Sequence, residues 1–242
     1  MLVGHGNGKW IGERLSHRAW GSACHWLCPA YCITIIFSTG GAMRYAAGQK
    51  EETRKKMVQT AARVLRRDGI AAAGVASLMA EAGLTNGAFY AHFESKEALV
   101  AEAVVAALTE TTAAIAARIE QAPPGKALDA VIDHYLDPRH VDHPEHGCAV
   151  AALAPELARR PAATRVAVDK AVAALIDTIA GALPPGQRNA QDVARAVFAS
   201  LVGTIQLART TSLPLVPRIL AAGAVAARTI AQAPAGTGRA HA

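Results

Sequence analysis

Residues 75–99 read VASLMAEAGLTNGAFYAHFESKEAL, and this stretch decides the fold of the chain. Its first part carries apolar side chains at helical spacing, at Val75, Leu78 and Met79, which predicts a short helix with one buried face. Gly83 follows them, at the position where a left-handed residue commonly ends a helix. The pattern therefore predicts a short helix and then a tight turn.

A second short helix is predicted directly after the turn, at residues 86–92. Thr85 or Asn86 can accept a hydrogen bond from its first free N–H groups, and Ser95 can cap a third, longer helix in the same way. The side chains expected in the core are Ala88, Phe89 and Phe93. Two short helices joined by a tight turn, with a third helix following, form a helix-turn-helix.

Residues 83–99 resemble the signature of the tetracycline-repressor (TetR) family of one-component transcriptional regulators. The most specific part of the resemblance is Tyr90, His92 and Phe93, followed by Lys96 and Leu99. The resemblance implies a dimeric, all-helical repressor with a DNA-binding head and a separate ligand-binding domain.

The composition is compatible with a helical, DNA-binding protein but is not specific for one. The 242 residues carry a formal net charge of +6, which suits a polyanionic partner. Aromatic residues make up only 5% of the chain. Four cysteines in a chain of this length do not predict a disulfide framework.

The N-terminal residues 1–42 differ from everything that follows. They hold all three tryptophans and three of the four cysteines, Cys24, Cys28 and Cys32. A signal peptide or membrane anchor, or a metal-binding face, is one interpretation. The other is that translation starts at Met43 and the upstream residues are a leader or a disordered extension. Pro29 interrupts the segment and favours the second interpretation.

Apolar periodicity and proline spacing predict about nine helices and no strand, so the fold class is all-α. We expect the DNA-binding domain at residues 43–98, the ligand-binding and dimerisation domain at 99–232, and a frayed tail at 233–242. The predicted helices lie at 51–68, 75–82, 86–92, 95–120, 126–136, 148–158, 161–183, 190–209 and 215–232.

The second helix of the motif is predicted to enter the major groove of DNA. Asn86 is the expected base reader, because its amide can pair bidentately with adenine. The other residues expected to contact DNA are Thr85, Gly87, Ala88, Tyr90, His92, Lys96, Lys55 and Ser77. Among these, Tyr90 and Lys96 resemble the family's phosphate-contacting positions, whereas His92 can equally be packed between helices.

The first helix of the motif departs from the family pattern. It opens with Ala73-Gly74-Val75-Ala76, where the family usually places Ser or Thr and then a polar or basic residue. We therefore expect a weak helix cap, with Ser77 as a substitute partner. The helix before it has a basic face, whose N-terminal half suits phosphate contacts.

Residues 137–148, DPRHVDHPEHGC, are the most unusual part of the body. Three histidines, His140, His143 and His146, could bind zinc or copper. Two prolines within the stretch instead favour a solvated loop. Cys148, at the start of a predicted helix, is either a reactive thiol that senses oxidants or electrophiles, or a buried apolar residue. A Cys–His enzyme is a third interpretation, but no orienting third group is recognisable.

The remaining helices predict a dimer and a ligand pocket. By resemblance, the last two long helices pair with those of a second copy across a two-fold axis. The pocket between the middle helices is expected to take a hydrophobic small molecule. Its candidate lining residues are Tyr135, Cys148, Leu153, Leu157, Val172, Ile176 and Gln206.

The sequence thus predicts a cytoplasmic, homodimeric repressor that binds a near-palindromic operator and is released by a small-molecule effector. It predicts no catalytic site, no metal and no cofactor. Two alternatives remain: a redox-, electrophile- or metal-responsive regulator triggered at Cys148 and the His140–His146 stretch, and an enzyme or membrane-anchored protein.

Overall fold

The computed structural model describes residues 47–232, and these contain α-helices and two short 3-10 turns but no strand. The predicted all-α fold is confirmed. The helices are α1 (Ala47–Asp68), α2 (Val75–Glu81), α3 (Asn86–Tyr90), α4 (Lys96–Glu120), α5 (Ala127–Tyr135), α6 (Pro138–Asp142), α7 (Ala149–Leu157), α8 (Ala162–Gly181), α9 (Ala190–Arg209) and α10 (Val216–Gln232). The predicted leader 1–42, the start at Met43 and the tail 233–242 lie outside the described residues.

The caps of the motif explain why its helices begin and end where they do. The Thr85 hydroxyl accepts the Ala88 N–H and starts α3, and the Ser95 hydroxyl accepts the Ala98 N–H and starts α4. Gly83 has a φ of +65°, which only glycine adopts without strain, and it ends the turn after α2. α2 begins at Gly74 without a side-chain cap, as the departure from the family pattern predicted.

The head consists of α1, α2, α3 and the first turns of α4. Phe89 and Phe93 are buried and their rings stack, with centroids 5.9 Å apart. They pack with buried residues of α1, α2 and α4, which are Met57, Leu65, Leu78, Met79, Leu99 and Val100. The predicted placement of Phe89 and Phe93 in the core is confirmed.

The body is a bundle in which α4 packs on α8, α8 on α9, and α9 on α10. Its core is aliphatic, with Leu108, Ile115, Leu175, Ile179, Leu201 and Ile205 fully buried. Gly223 of α10 lies directly against Thr204 of α9, since a Cβ at position 223 would collide with the threonine side chain. α9 and α10 are therefore a closely packed pair.

The stretch predicted as a loop, 137–147, is instead mostly helical. α6 and a 3-10 turn at Pro144–His146 fill it. The prolines do not prevent this, because Pro138 stands in the first turn of α6, where its missing N–H is not needed. The Asp137 carboxylate caps the helix by accepting the Arg139 N–H at 2.8 Å.

Two helices, Lys96–Glu120 and Leu213–Gln232, are long and apolar enough to cross a membrane, by length and composition only. A core helix of a soluble protein passes the same test. The first packs on α1, α5 and α8, and the second packs along α9.

Candidate nucleic-acid interface and body cavity

The outer surface of α3 is short, small and polar. Asn86, Gly87 and Tyr90 are exposed there, with 73% of Tyr90 accessible to solvent. Ala88 is half-buried against the core, and the Thr85 hydroxyl is engaged as the cap of α3. The surface that can approach another molecule is therefore formed by Asn86, Gly87 and Tyr90.

Two other expected contact residues lie on the helices that flank α3. Lys55 is exposed on α1, and Ser77 is exposed on α2. The Ser77 hydroxyl donates to the Gly74 carbonyl at 2.8 Å, which steadies the uncapped first turn of α2.

His92 lies in a small cleft formed with Lys50, Glu51, Arg54 and Ala91. Desolvation lowers the pKa of its imidazole, and the neighbouring Lys50 and Arg54 cations lower it further. The Glu51 carboxylate in the same cleft has the opposite effect. His92 is therefore a half-buried histidine between charges of both signs.

Arg54 holds the head together and is not a free cation. Its guanidinium donates to the His92 carbonyl and to the Glu102 carboxylate. It also lies over the Phe93 ring, with Cζ 4.1 Å from the centroid. These contacts tie α1 to the end of α3 and to α4.

Lys96 has a structural contact that the sequence did not predict. Its ammonium donates to the Ile70 carbonyl at 2.8 Å and is partly buried. It therefore joins the start of α4 to the connection between α1 and α2, and we do not retain it among the proposed DNA contacts.

The basic face predicted for α1 is only partly available to a partner. Arg66 is buried, and Arg67 pairs with Asp68 and Glu81 at 2.9 Å. The other exposed cations of this helix are Lys50, Lys55, Lys56 and Arg63. Most of them lie in its N-terminal half, the end that the sequence assigned to phosphate contacts.

Comparison with known proteins identifies the head. Residues 58–103 match the family model described as bacterial regulatory proteins, tetR family. The chain carries the helix-turn-helix head of the TetR family. This head is the DNA-binding domain of a transcriptional regulator, which confirms the resemblance seen in residues 83–99.

A curated relative and two solved structures extend the comparison. The chain is 38% identical over 52 residues to the uncharacterized HTH-type transcriptional regulator YerO of Bacillus subtilis (strain 168), a match that covers 22% of this chain and 18% of that protein. A TetR-family regulator from Cytophaga hutchinsonii superposes with a TM-score of 0.63 at 19% identity, over 74% of this chain and 95% of that chain. A TetR regulator from Chloroflexus aurantiacus J-10-FL superposes with a TM-score of 0.62 at 24% identity, over 76% of this chain and 97% of that chain. The two structures show that head and body share the family's fold.

The TetR-type head and the body of this chain are joined by polar contacts, one of which is fully buried. Glu156 of α7 accepts the Ile70 and Ala71 N–H groups at 3.1 and 2.8 Å. Arg66 of α1 donates to the Gly147 carbonyl, just before α7, at 2.8 Å. Both ends of α7 are therefore bonded to the head.

A cavity of about 380 Å³ lies beside this junction. α1, α4, α5 and residues 137–148 line it on one side and leave the other side open, and most of its lining residues carry polar or charged side chains. These include Arg66, Glu110, Arg118, His134, Tyr135, Asp137, Arg139, His140 and Cys148.

The structure separates the residues that the sequence placed in one ligand pocket. Tyr135 and Cys148 line the polar cavity. Leu157 and Val172 line a different cleft, between α7 and α8, of about 510 Å³. The structure therefore does not bring the seven predicted residues together in either cavity, because periodicity does not show which helix faces converge.

The other three residues line neither of these two cavities. Leu153 is buried in the aliphatic core, Ile176 packs partly against that core, and Gln206 is half-buried on α9.

His140 organises the wall of the polar cavity. Its Nδ1 lies 2.8 Å from the Tyr135 carbonyl, and its Nε2 accepts the Cys148 N–H at 2.9 Å. These partners require the neutral tautomer with the proton on Nδ1. Gly147 permits this arrangement, because a Cβ there would collide with the His140 ring.

We predict that acid destabilises the protein partly through His140. Burial lowers the pKa of its imidazole from 6.5 to about 4. Between those two values the unfolded chain binds more protons than the folded one, so His140 contributes stability above pH 6.5 that is lost as the pH falls towards 4. The loss near pH 5 should be on the order of 1–2 kcal/mol in the free energy of unfolding.

Urea unfolding at a series of pH values checks this expectation. His140→Gln keeps an acceptor but cannot titrate, so its stability should fall less on acidification than that of the wild type. His143→Gln replaces an exposed histidine and should retain the wild-type response. Equal acid sensitivity of all three proteins would contradict the role given to His140.

Cys148 is 1% exposed, so its thiol is packed beneath residues 137–147 rather than open to solvent. Within residues 47–232 no group of three or more His, Cys, Asp or Glu side chains is arranged to hold a metal ion. His143 and His146 are exposed, whereas His140 is engaged on both nitrogens. A regulator that is triggered by a metal or by the Cys148 thiol thus remains a prediction that no arrangement of the described side chains supports.

Sequence reasoning missed three residues that build this region: Arg66, Gly147 and Arg209. Arg209 of α9 donates to the Ala151 and His140 carbonyls at 3.0 and 2.6 Å. Arg66 was hidden in a run of basic residues. The one signal for Gly147 was a glycine placed directly before the start of a predicted helix.

Proposed function

We propose that this regulator is a homodimeric repressor that binds a near-palindromic operator and is released when a small molecule occupies its body. The observation that carries the proposal is the exposed surface of Asn86, Gly87 and Tyr90 on α3, held by the buried core of Phe89 and Phe93. In a helix-turn-helix such a surface enters the major groove. Asn86 reads a base, and Tyr90 and the exposed Lys55 of α1 contact phosphates.

The exposed faces of α9 and α10 support the dimer. They form an apolar groove that includes Gly203, Leu207, Leu215, Ala222 and Ala226. Leu207 is 55% exposed, and Val225, nearby on α10, is 63% exposed. An apolar face made of two packed helices suits a four-helix interface with a second copy. In that arrangement the two recognition helices reach successive major grooves.

The head–body junction supports release by an effector. Operator affinity changes if a ligand prefers a shape in which the two heads no longer match the half-sites. Arg66 and Glu156 connect α1 and the α1–α2 connection to α7, so a ligand in the polar cavity can alter the position of the head. A regulator of this kind acts on DNA in the cytoplasm and has no catalytic role.

The test of the proposed function is Asn86→Ala, with Lys55→Gln as a contrasting variant. Loss of the Asn86 amide should reduce discrimination between the operator and duplexes altered at the contacted base by about tenfold or more, because a bidentate pair is worth about 1–3 kcal/mol. Lys55→Gln should weaken binding to all duplexes alike. It should also reduce the slope of the logarithm of the binding constant against the logarithm of the salt concentration by about one.

Fluorescence anisotropy with duplexes carrying each base at each operator position measures both effects. Asn86 and Lys55 are both exposed, so neither variant should change the unfolding midpoint. If Asn86→Ala kept the full base preference, α3 would not be the reading helix that we propose.

A further inference from the structure

The polar cavity beside the head carries an excess of positive charge. Two carboxylates line it, Asp137 and Glu110. Asp137 is neutralised by Arg139 through contacts of 2.7 and 3.0 Å. Glu110 meets Arg66 at 3.3 Å, and its side chain is 53% exposed. Arg118 pairs with no carboxylate in the part of the chain that the structure describes.

Arg66 is buried in the wall of this cavity with part of its hydrogen-bonding capacity unused. It donates to the Ala62 carbonyl, the Gly147 carbonyl and Glu110, which employs three of its five N–H groups. Desolvation lowers the pKa of this guanidinium, so its charged form is poorly compensated. A buried cation in this state is stabilised by an anion that forms charge-assisted hydrogen bonds with it.

Tyr135 adds a neutral donor to the same wall. Its side chain is 2% exposed, and its hydroxyl lies near the weakly accepting Cys148 thiol without a well-formed hydrogen bond to any described residue. Buried polar groups without a partner are uncommon, and a ligand is one way to satisfy them. Burial raises the pKa of the phenol, so the hydroxyl keeps its proton and can donate it.

We propose that this cavity binds a small organic anion, a carboxylate or a phosphate ester, through Arg118, Arg66 and the Tyr135 hydroxyl, and that the anion withdraws Arg66 from the Gly147 carbonyl. The cavity volume of about 380 Å³ suits a small metabolite rather than a long acyl chain. The expectation from the sequence was a hydrophobic ligand, and the polar lining of this cavity replaces it with a charged one.

The consequence for DNA binding follows from the position of Arg66 and rests on the proposed function. Arg66 belongs to α1, whereas Gly147 leads into α7. An anion that competes for the Arg66 N–H groups breaks a direct bond between head and body. The ligand then favours the chain conformation in which α1 is released, and operator affinity falls by the ratio of its affinities for the two conformations.

The test uses three probes of similar size and different charge: benzoate, phenyl phosphate and neutral benzamide. Isothermal titration calorimetry of the full chain should show saturable binding of at least one of the two anions and none of benzamide. The better anion distinguishes a carboxylate from a phosphate ligand. Arg118→Gln should weaken anion binding about tenfold or more, because one charge-assisted contact is lost.

Arg165→Gln is the matched control. Arg165 is an exposed arginine that lines the separate α7–α8 cleft, so its replacement removes the same charge elsewhere and should leave anion binding unchanged. Equal binding of benzamide and the anions, no effect of Arg118→Gln, or an equal loss in Arg165→Gln would each overturn the proposed site.

The link to α1 is tested without DNA by hydrogen exchange. The bound anion should speed exchange at residues 62–70, which are the C-terminal part of α1 and the start of the connection after it, and unchanged or slower exchange there would overturn the link. Titration of the chain with its operator DNA is a separate measurement, in which the anion should lower the affinity for the operator and benzamide should not. Failure to bind any operator would contradict the proposed function. Calorimetry and hydrogen exchange test the anion site independently of DNA binding.

Discussion

Leu207→Arg should convert the regulator from a dimer to a monomer and reduce operator affinity by about 100-fold or more. Leu207 is 55% exposed in the single chain and lines the α9–α10 groove. In a two-fold interface the substitution would place two unpaired guanidinium groups against an apolar surface. Binding of two linked heads gains orders of magnitude over binding of one, and this gain is lost with the dimer.

Val166→Arg on α8 is the control for this prediction. Val166 is 53% exposed, so the change in size, charge and exposure is nearly the same, but it lies outside the α9–α10 face. Sedimentation velocity should show that Val166→Arg is still a dimer. Operator titration should show that it binds DNA with the affinity of the wild type. A dimeric Leu207→Arg with full affinity would show that the copies associate through another surface.

Phe89→Ala should unfold the head and abolish specific DNA binding. The Phe89 ring is 1% exposed and contacts both Phe93 and Tyr90, with centroids 5.9 and 5.1 Å away. Removing a buried phenylalanine costs about 3–5 kcal/mol. This is a large share of the 5–15 kcal/mol that holds a typical domain folded. Urea unfolding and operator titration of the same preparation measure both losses.

Tyr90→Ala tests the adjacent residue and should give the opposite pattern. Tyr90 is 73% exposed, so its replacement should change the free energy of unfolding by about 0.5 kcal/mol or less. Operator affinity should nevertheless fall, because the proposed phosphate contact is lost. If Phe89→Ala were as stable as Tyr90→Ala, the inward and outward faces of α3 would be assigned wrongly.

The head could be predicted from the sequence because its signals are local. Gly83, Thr85 and Ser95 set the ends of α2, α3 and α4 through caps and one left-handed turn, and these depend only on neighbouring residues. The burial of Phe89 and Phe93 could be predicted from the helical spacing of the apolar residues. The contact of Lys96 with Ile70 could not be predicted, because it joins segments 26 residues apart, which periodicity does not describe.

The cavity could not be predicted for a related reason. Arg66 and Gly147 are 81 residues apart, and Arg209 reaches His140 over 69 residues. The predicted loop at 137–147 was wrong because Pro138 was taken as a helix breaker, although a proline is favoured in the first turn of a helix. Once α6 forms, it places His140 beside Tyr135 and Cys148 and so builds a polar wall where an apolar pocket was expected.

The most direct test of this account is selection of binding sites by the purified chain from a pool of random-sequence duplexes. The account predicts one enriched motif that is near-palindromic, with half-sites separated by about one helical turn or a multiple of it, and one dimer bound per site. Binding to that motif should exceed binding to a shuffled duplex by about 1,000-fold or more at physiological salt. Recovery of no motif, with equal and steeply salt-dependent binding to every duplex, would contradict it.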